Sequence, residues 1–532
     1  MRKWVWPLAA LALVLAGGCS SSGGGFSERK SDQAANVLRY PIPNNPTTMD
    51  PAMVQDGDTI DLLHQVYEGL VGWGTNNEPV PLVAEKWEVS PDGLTYTFTI
   101  RGNITFHNGK PVTADDVIFS LERATNPKLA SPVATAYLDD IQGVMEKFEG
   151  KSPTVSGLKK VDDKTVSITL KRPTPYFLGK FTYLGNAIVP KDGTPADTTI
   201  TETAQMIGTG PFKVTEVLPE QKVSLAANET YWGGKPALDG IERLVIGDAL
   251  TRLSKFKNGE VDMVQLERQD VEGLKNSEFK DQLVYLDRPA IWYVAMNQLQ
   301  YEPFKKKEVR QAFAMSINRE RIVNEILGGI NQVANGIVPP GVPGHRENAK
   351  VLPFDPAKAK QMLAAAGYPD PSKMPALTLT FRDERPDIRR AAEAVATDIK
   401  TNLGVDVKLQ AMEWGAYLDK LNKKEQVFFH MRWAADYLDP QNFLSHMLAT
   451  NAPENKLGYS NPEFDRLTGL ADREMDSAKR LPIYAQAEDI ILDDAVWVPI
   501  YFQRDVELQS PRLSGLRESL FGHLPHTTTQ LK

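Results

Sequence analysis

The 532-residue chain has a single cysteine, Cys19, placed where a short apolar run ends. Arg2 and Lys3 start that run, Trp4 to Leu15 is almost wholly apolar, and Ala16, Gly17 and Gly18 are small. A charged start, an apolar core of about 7–15 residues and a small-residue cleavage site make a secretory signal. The run is too short for a bilayer span, which takes about 20 residues. An exported body with no second thiol forms no disulfide within one chain. A large buried core must then supply stability, and the length suffices for about two or three domains.

A cysteine directly after small residues resembles a lipobox, in which the thiol is acylated and becomes the new N-terminus. Lipoboxes usually carry leucine three residues before the cysteine; here Ala16 stands there and Leu15 one further back. The alternative is an ordinary secreted protein with an incidental thiol. Residues 1–18 read as the signal and 19–36 as a polar tether rich in Ser, Gly and charge. Such a tether reaches roughly 20–25 Å on average. Losing Arg2 and Lys3 takes the formal charge from −8 to −10. That acidic balance argues against nucleic acid as a partner. The expected location is extracytoplasmic, held to a bacterial membrane by lipid on Cys19.

Beyond the tether, strands and helices alternate without a regular repeat. Val37 to Tyr40 reads as a strand, and Asp58 or Thr59 as the cap of a helix with Ile60, Leu63, Tyr67 and Leu70 on one face. Tyr96, Phe98 and Ile100 alternate with threonines, the mark of a half-buried strand, and Val166, Ile168 and Leu170 make another. Thr113 and Asp116 have capping-box spacing. Asp355-Pro356 opens a helix that stops at Gly367. A helix from about Ile388 to Leu403 ends at Gly404 and leads into a strand through Val405, Val407 and Leu409. Asn461-Pro462 opens one more helix. The class is α/β or α+β in more than one domain.

Chemistry-bearing motifs are scarce. The chain lacks a G-x-S-x-G elbow, a Walker A loop, H-E-x-x-H and C-x-x-C. His523 and His526 are three apart, but Gly522 and Pro525 place them in a loop better than on a metal-binding helix face. No cofactor, metal site or catalytic residue is expected, and the chain reads as a non-enzyme.

Specific words then accumulate. The run LVAEKWEVSPDGLTYTFTIRGNITFHNGKPVTADDVIFSLER occupies 82–123, followed by GTGPF at 208–212, YWGGKP at 231–236 and NGEVD at 258–262. VRQAF at 309–313 with NRE at 318–320, the stretch from Asp355 to Tyr368, and GYSNPEF at 458–464 complete the series. In this order they resemble the family 5 extracellular solute-binding proteins, the peptide and nickel receptors of ABC importers. The resemblance implies a two-lobed periplasmic-binding-protein-like fold (type II, cluster C) with an inserted subdomain. Lobe I would comprise 37–75, 205–289 and 499–532, the insertion 76–204, and lobe II 290–498.

Trp433-Ala434-Ala435-Asp436-Tyr437-Leu438-Asp439-Pro440, with Phe443, is similar to the W-x-x-D-x-x-[DE]-P-x-x-F segment of peptide-binding members. The resemblance places on Asp436 the pairing with a ligand's free α-ammonium, with Trp433 and Tyr437 as pocket walls or core. Asp439, before proline, reads as a cap. His430 stands where some oligopeptide-binding relatives have an arginine for the ligand carboxylate, and Arg432 shares its side of the strand. Asn297 either bonds a ligand backbone or closes a turn.

The function so implied is capture of di- or oligopeptides in an interlobe cleft by hinge closure, and delivery to a permease served by separate ATPase subunits. The protein would act as a monomer. Alternatives are the same fold binding a nickel–chelator or oligosaccharide, or an envelope-sensing lipoprotein.

Overall fold

A computed structural model describes residues 36–382 and 385–532. The signal, Cys19 and the tether up to residue 35 lie outside the described residues. No helix among the described residues is long and apolar enough to cross a membrane.

Among those residues, two four-stranded sheets and one seven-stranded sheet carry the fold. In the first, Val37–Ile42 runs parallel to Gly240–Val245, which continues antiparallel to Lys222–Ala227 and then Phe212–Leu218. The second is an antiparallel meander of Ala84–Val89, Thr95–Ile100, Thr165–Thr169 and Leu158–Asp162. Its period-2 alternation turns Tyr96, Phe98 and Ile100 into one core with Val166 and Ile168. The large sheet runs Met263–Gln265, Trp497–Gln509, Leu283–Met296, Phe428–Ala434, Leu377–Arg382 and Val407–Met412, and Gln332–Val333 pairs onto Trp497–Gln509.

Two strands of this sheet are unusually long. Leu283–Met296 has 14 residues and Trp497–Gln509 has 13, against a typical five or six. They pair antiparallel, but the register breaks between Asp287 and Ile291, opposite Arg504 and Phe502, and again between Trp292 and Tyr293. On one side of the break Val506 and Leu508 pack with Leu253, Phe256 and Val271. On the other side Ile291 and Trp292 with Val498, Ile500 and Phe502 enter two different cores. The same strands therefore anchor separate hydrophobic cores at their two ends.

Local signals set most helix ends. The Asp116 carboxylate takes the Thr113 N–H at 2.9 Å and its hydroxyl at 2.7 Å, opening the helix Ala114–Ala124. Asp355 caps Pro356–Ala365, Asn461 caps Pro462–Ala471, and Gly404 ends Pro386–Leu403 with a left-handed φ of 79°. One expectation needs correction. The helix Gly57–Leu63 is capped by Asp56, whose side chain accepts the Thr59 N–H at 2.9 Å, rather than by Asp58 or Thr59. Tyr67 and Leu70 are buried as expected but lie past its end.

A fully buried ion pair ties distant segments of the first half. Asp50 accepts both Nη atoms of Arg123 and the N–H groups of Ala52 and Ile200, and Arg123 also donates to the carbonyls of Pro195 and Thr198. Replacing Asp50 with Asn leaves the buried guanidinium uncompensated. It should cost about 3–5 kcal/mol, read as a lower urea midpoint.

The C-terminal segment supplies a second test. His526 is buried between the Tyr40 hydroxyl at 3.1 Å and the Thr529 hydroxyl at 3.0 Å, and burial with neighbouring His523 pushes its pKa down to about 3. Its folded pKa lies below the unfolded value, so the unfolded chain binds the extra proton between pH 6.5 and 3. Stability from this group is therefore lost as pH falls, by about 1.4 kcal/mol per unit. His526→Gln should flatten the wild-type acid slope of unfolding free energy by that amount, and an unchanged slope would contradict the assignment.

Candidate functional site

The strand Phe428–Ala434 leads directly into the segment that carries Asp436. Alternation along it separates the expected site residues. Phe429, Met431 and Trp433 face one side of the sheet, with Tyr293 and Trp497, whereas Phe428, His430 and Arg432 face the other, with Trp292 and Tyr501.

After the strand the chain turns on Asn442. Its side-chain oxygen accepts the Asp436 N–H at 3.1 Å and the Trp433 indole N–H at 3.0 Å, and its amide reaches the Asp436 carboxylate at 3.5 Å. Asn442 is fully buried, so it fixes Asp436 and Trp433 in one frame. Asp439 caps the turn Pro440–Asn442 and receives both Nη atoms of buried Arg480. Its role is the structural cap expected of it.

The Asp436 side chain stands at a wall open to water. The residue is exposed, yet surrounding protein desolvates its carboxyl and pushes its pKa above the usual carboxylate range. His446, Asn442 and Tyr137 pull in the opposite direction, and Glu454 adds to the rise. Tyr137 belongs to the helix Ala134–Leu138, some three hundred positions earlier, and stacks on Tyr183 with ring centroids 3.7 Å apart. The Asp436 carboxyl thus contacts the Asn442 amide and the Tyr137 hydroxyl, exposed to solvent but poorly hydrated. Such a position favours a small cation that donates hydrogen bonds.

Tyr437 is buried, hydrogen-bonded to Gln441, and stacked on Tyr176 at 5.7 Å. It packs the Asp436 segment against the segment that holds Tyr176. Trp433 is half-buried and walls a pocket beside Asp436.

Asn297 does not reach this site. It is fully buried, and its amide donates to the carbonyls of Lys424, Gln426 and Lys456 while its oxygen takes the Leu299 N–H. Every strong hydrogen-bonding position is used on the backbone, so of the two expectations the turn-closing one describes this residue.

His430 is likewise fully buried and lies across the sheet from Trp433. Its ring stacks on Trp292 at 5.1 Å, and neither ring nitrogen has a hydrogen-bond partner among the described residues. Burial and the nearby Arg382 push its pKa down to about 3, keeping it neutral. Around it gather positive groups. The Arg382 guanidinium lies 5.2 Å and that of Arg385 5.8 Å from the Trp292 ring. Arg432 donates to Gln503 at 2.7 Å, and burial lowers its pKa to about 10, with Arg382 and Arg385 adding to the fall against Asp505. Asp505 draws Arg432 in the opposite direction, and Arg385 pairs with Asp387 at 3.1 Å.

Reading the sequence missed Tyr137, Asn442, His446 and the arginines at 382 and 385. Only Asn442 had a local signal, lying within the same Trp-to-Phe segment. His523 pairs with Glu507 at 2.9 Å and His526 lies between the Tyr40 and Thr529 hydroxyls; no group of three or more ligating side chains occurs among the described residues.

The chain is similar to known proteins. The dipeptide-binding protein DppE of Bacillus subtilis is 31% identical over 98% of both chains. The heme-binding protein A of Haemophilus influenzae is 30% identical over 97% of this chain and 96% of its own. The unliganded open form of MppA, a periplasmic murein tripeptide binding protein, superposes with a TM-score of 0.83 at 28% identity, covering 94% of this chain and 98% of that one. The fold is therefore two-lobed α/β, as the sequence words implied. Residues 78–455 match the family model described as bacterial extracellular solute-binding proteins, family 5 Middle. The chain belongs to the bacterial extracellular solute-binding proteins of family 5.

Proposed function

We propose that the protein is an extracytoplasmic receptor that captures short peptides by their free amino terminus and presents them to an ABC permease. The observation that carries this reading is the Asp436 carboxylate, fixed by Asn442 at the wall of a cleft and facing Tyr137. A charged ammonium donates three hydrogen bonds and neutralises the carboxylate, which a sugar hydroxyl does not. The peptide-binding names among the relatives agree with this choice.

In this reading, 37–75, 205–289 and 499–532 form lobe I, 76–204 the inserted subdomain and 290–498 lobe II. The register breaks in the two long strands lie near those crossings and serve as the hinge. Ligand bound between the lobes favours the closed form, which docks on the permease. Acylated Cys19 holds the body at the membrane and raises its effective concentration there. The energy source is a separate ATPase, and the receptor acts as a monomer without catalysis or cofactor.

Calorimetric titration tests the ammonium site. Peptides with a free amino terminus should bind, their acetylated forms should not, and Asp436→Asn should cost about 2–5 kcal/mol, at least thirtyfold in Kd. Unchanged affinity in the variant would overturn the role of Asp436. Metabolic labelling with a palmitate analogue tests the anchor: label and membrane retention should both vanish in Cys19→Ala. A labelled Cys19→Ala protein would contradict it.

A further inference from the structure

The helix Phe177–Phe181 sends Phe177 and Phe181 into the core that holds Tyr96 and Phe98. Tyr176, just before it, joins none of the hydrophobic cores among the described residues. Tyr437 shows the same pattern: its neighbours Ala435 and Leu438 enter the core around Tyr293 and Trp497, and Tyr437 does not. Both tyrosines are nonetheless only 5% exposed. Each is covered by the other's segment, for their rings stack with centroids 5.7 Å apart and planes 10° from parallel.

The approach is close on both sides. Gly179, three residues after Tyr176, has no side chain, and a Cβ there would stand 3.5 Å from the Tyr437 Cβ. The Arg480 guanidinium, fixed by both carboxylate oxygens of Asp439, lies 5.9 Å from the Tyr176 ring. The contact is also tied to the site. Lys180, in the helix after Tyr176, donates to Asp139 at 2.7 Å and to Asp140 at 2.5 Å, directly past the helix Ala134–Leu138 that carries Tyr137. Tyr176 and Tyr137 thus belong to one braced body, and they meet Tyr437 and Asp436, which are adjacent in the chain.

We propose that Tyr176 is a positioning residue: by stacking on Tyr437 it docks the inserted subdomain on lobe II and sets Tyr137 against Asp436. The inference rests on the lobe division proposed above. Removing the ring takes away attraction between the two bodies without touching Asp436 or the long paired strands. The lobes then stand farther apart, and the cleft is less often assembled.

Double electron–electron resonance reads that spacing. Spin labels go on Lys151→Cys in the insertion and Lys479→Cys in lobe II, both exposed positions, in the full chain with Cys19→Ala. Tyr176→Ala should move population from the wild-type distance to longer ones, changing their ratio roughly three- to tenfold. Tyr437→Ala should do the same from the other side, with no further change in the double variant. Tyr176→Phe, which keeps the ring, should give the wild-type distribution. Trialanine, a free-amine probe, should bind Tyr176→Ala more weakly by about the factor in which the wild-type distance is depopulated. If Tyr176→Ala keeps the wild-type distances, even with a lowered urea midpoint, Tyr176 supports only its own subdomain; the assignment is overturned while the peptide reading stands. Tyr176→Phe behaving as Tyr176→Ala would equally overturn it, because the stack would not be what docks the subdomain. If Tyr176→Ala lengthens the distances but trialanine neither binds the wild-type protein nor changes its distances, the contact is supported and the peptide reading is not.

Discussion

Two paired strands bear the rest of this structure. Leu283–Met296 and Trp497–Gln509 are joined along their length, and each passes from one hydrophobic core into another. Continuous strands with a broken register resist separation but tolerate bending where ladder hydrogen bonds are missing. Beyond the break the same two strands flank or pair with Phe428–Ala434, which carries Trp433 and leads into Asp436. The strands with the broken register and the strand that leads to Asp436 thus belong to one sheet.

Charge placement gives that sheet two poles. At the end of Phe428–Ala434, Asp436 keeps its carboxylate exposed but poorly hydrated, with the Tyr137 hydroxyl and the Asn442 amide as neighbours and no ion pair among the described residues. Asp439, three residues on, shows the contrast: it is buried and satisfied twice over by Arg480. Two aspartates of one short motif therefore differ in environment, because among the described residues only Asp439 is ion-paired. On the other face, Arg432 is held at a lowered pKa and the neutral His430 ring is left without partners.

Much of the fold was legible because local chemistry sets local structure. Thr113 with Asp116, Asp355 before Pro356 and Gly404 each satisfy or terminate a helix within a few residues, and the structure uses them so. Capping choices between near neighbours are less legible: Asp56 won over Asp58 because its carboxylate reaches the Thr59 N–H. Of the site, the Trp433-to-Phe443 segment could be read as one unit, held by Asn442. Period-2 alternation also said that His430 and Arg432 share a side, and by the same rule Trp433 lies opposite them. Nothing local announced Tyr137, brought to Asp436 from a separate sheet's neighbourhood, or Arg382 beside Trp292. Asn297 shows the reverse limit, since a polar residue at the end of a core strand is as useful to the backbone as to a ligand.

The most direct test of the account is the identity of the molecule the protein retains. Native mass spectrometry of protein purified without unfolding, followed by release and sequencing of what is bound, reads this without choosing a ligand in advance. The account expects short peptides with free amino termini, lost from the Asp436→Asn protein. Retained heme, sugar or metal chelate in their place would contradict it.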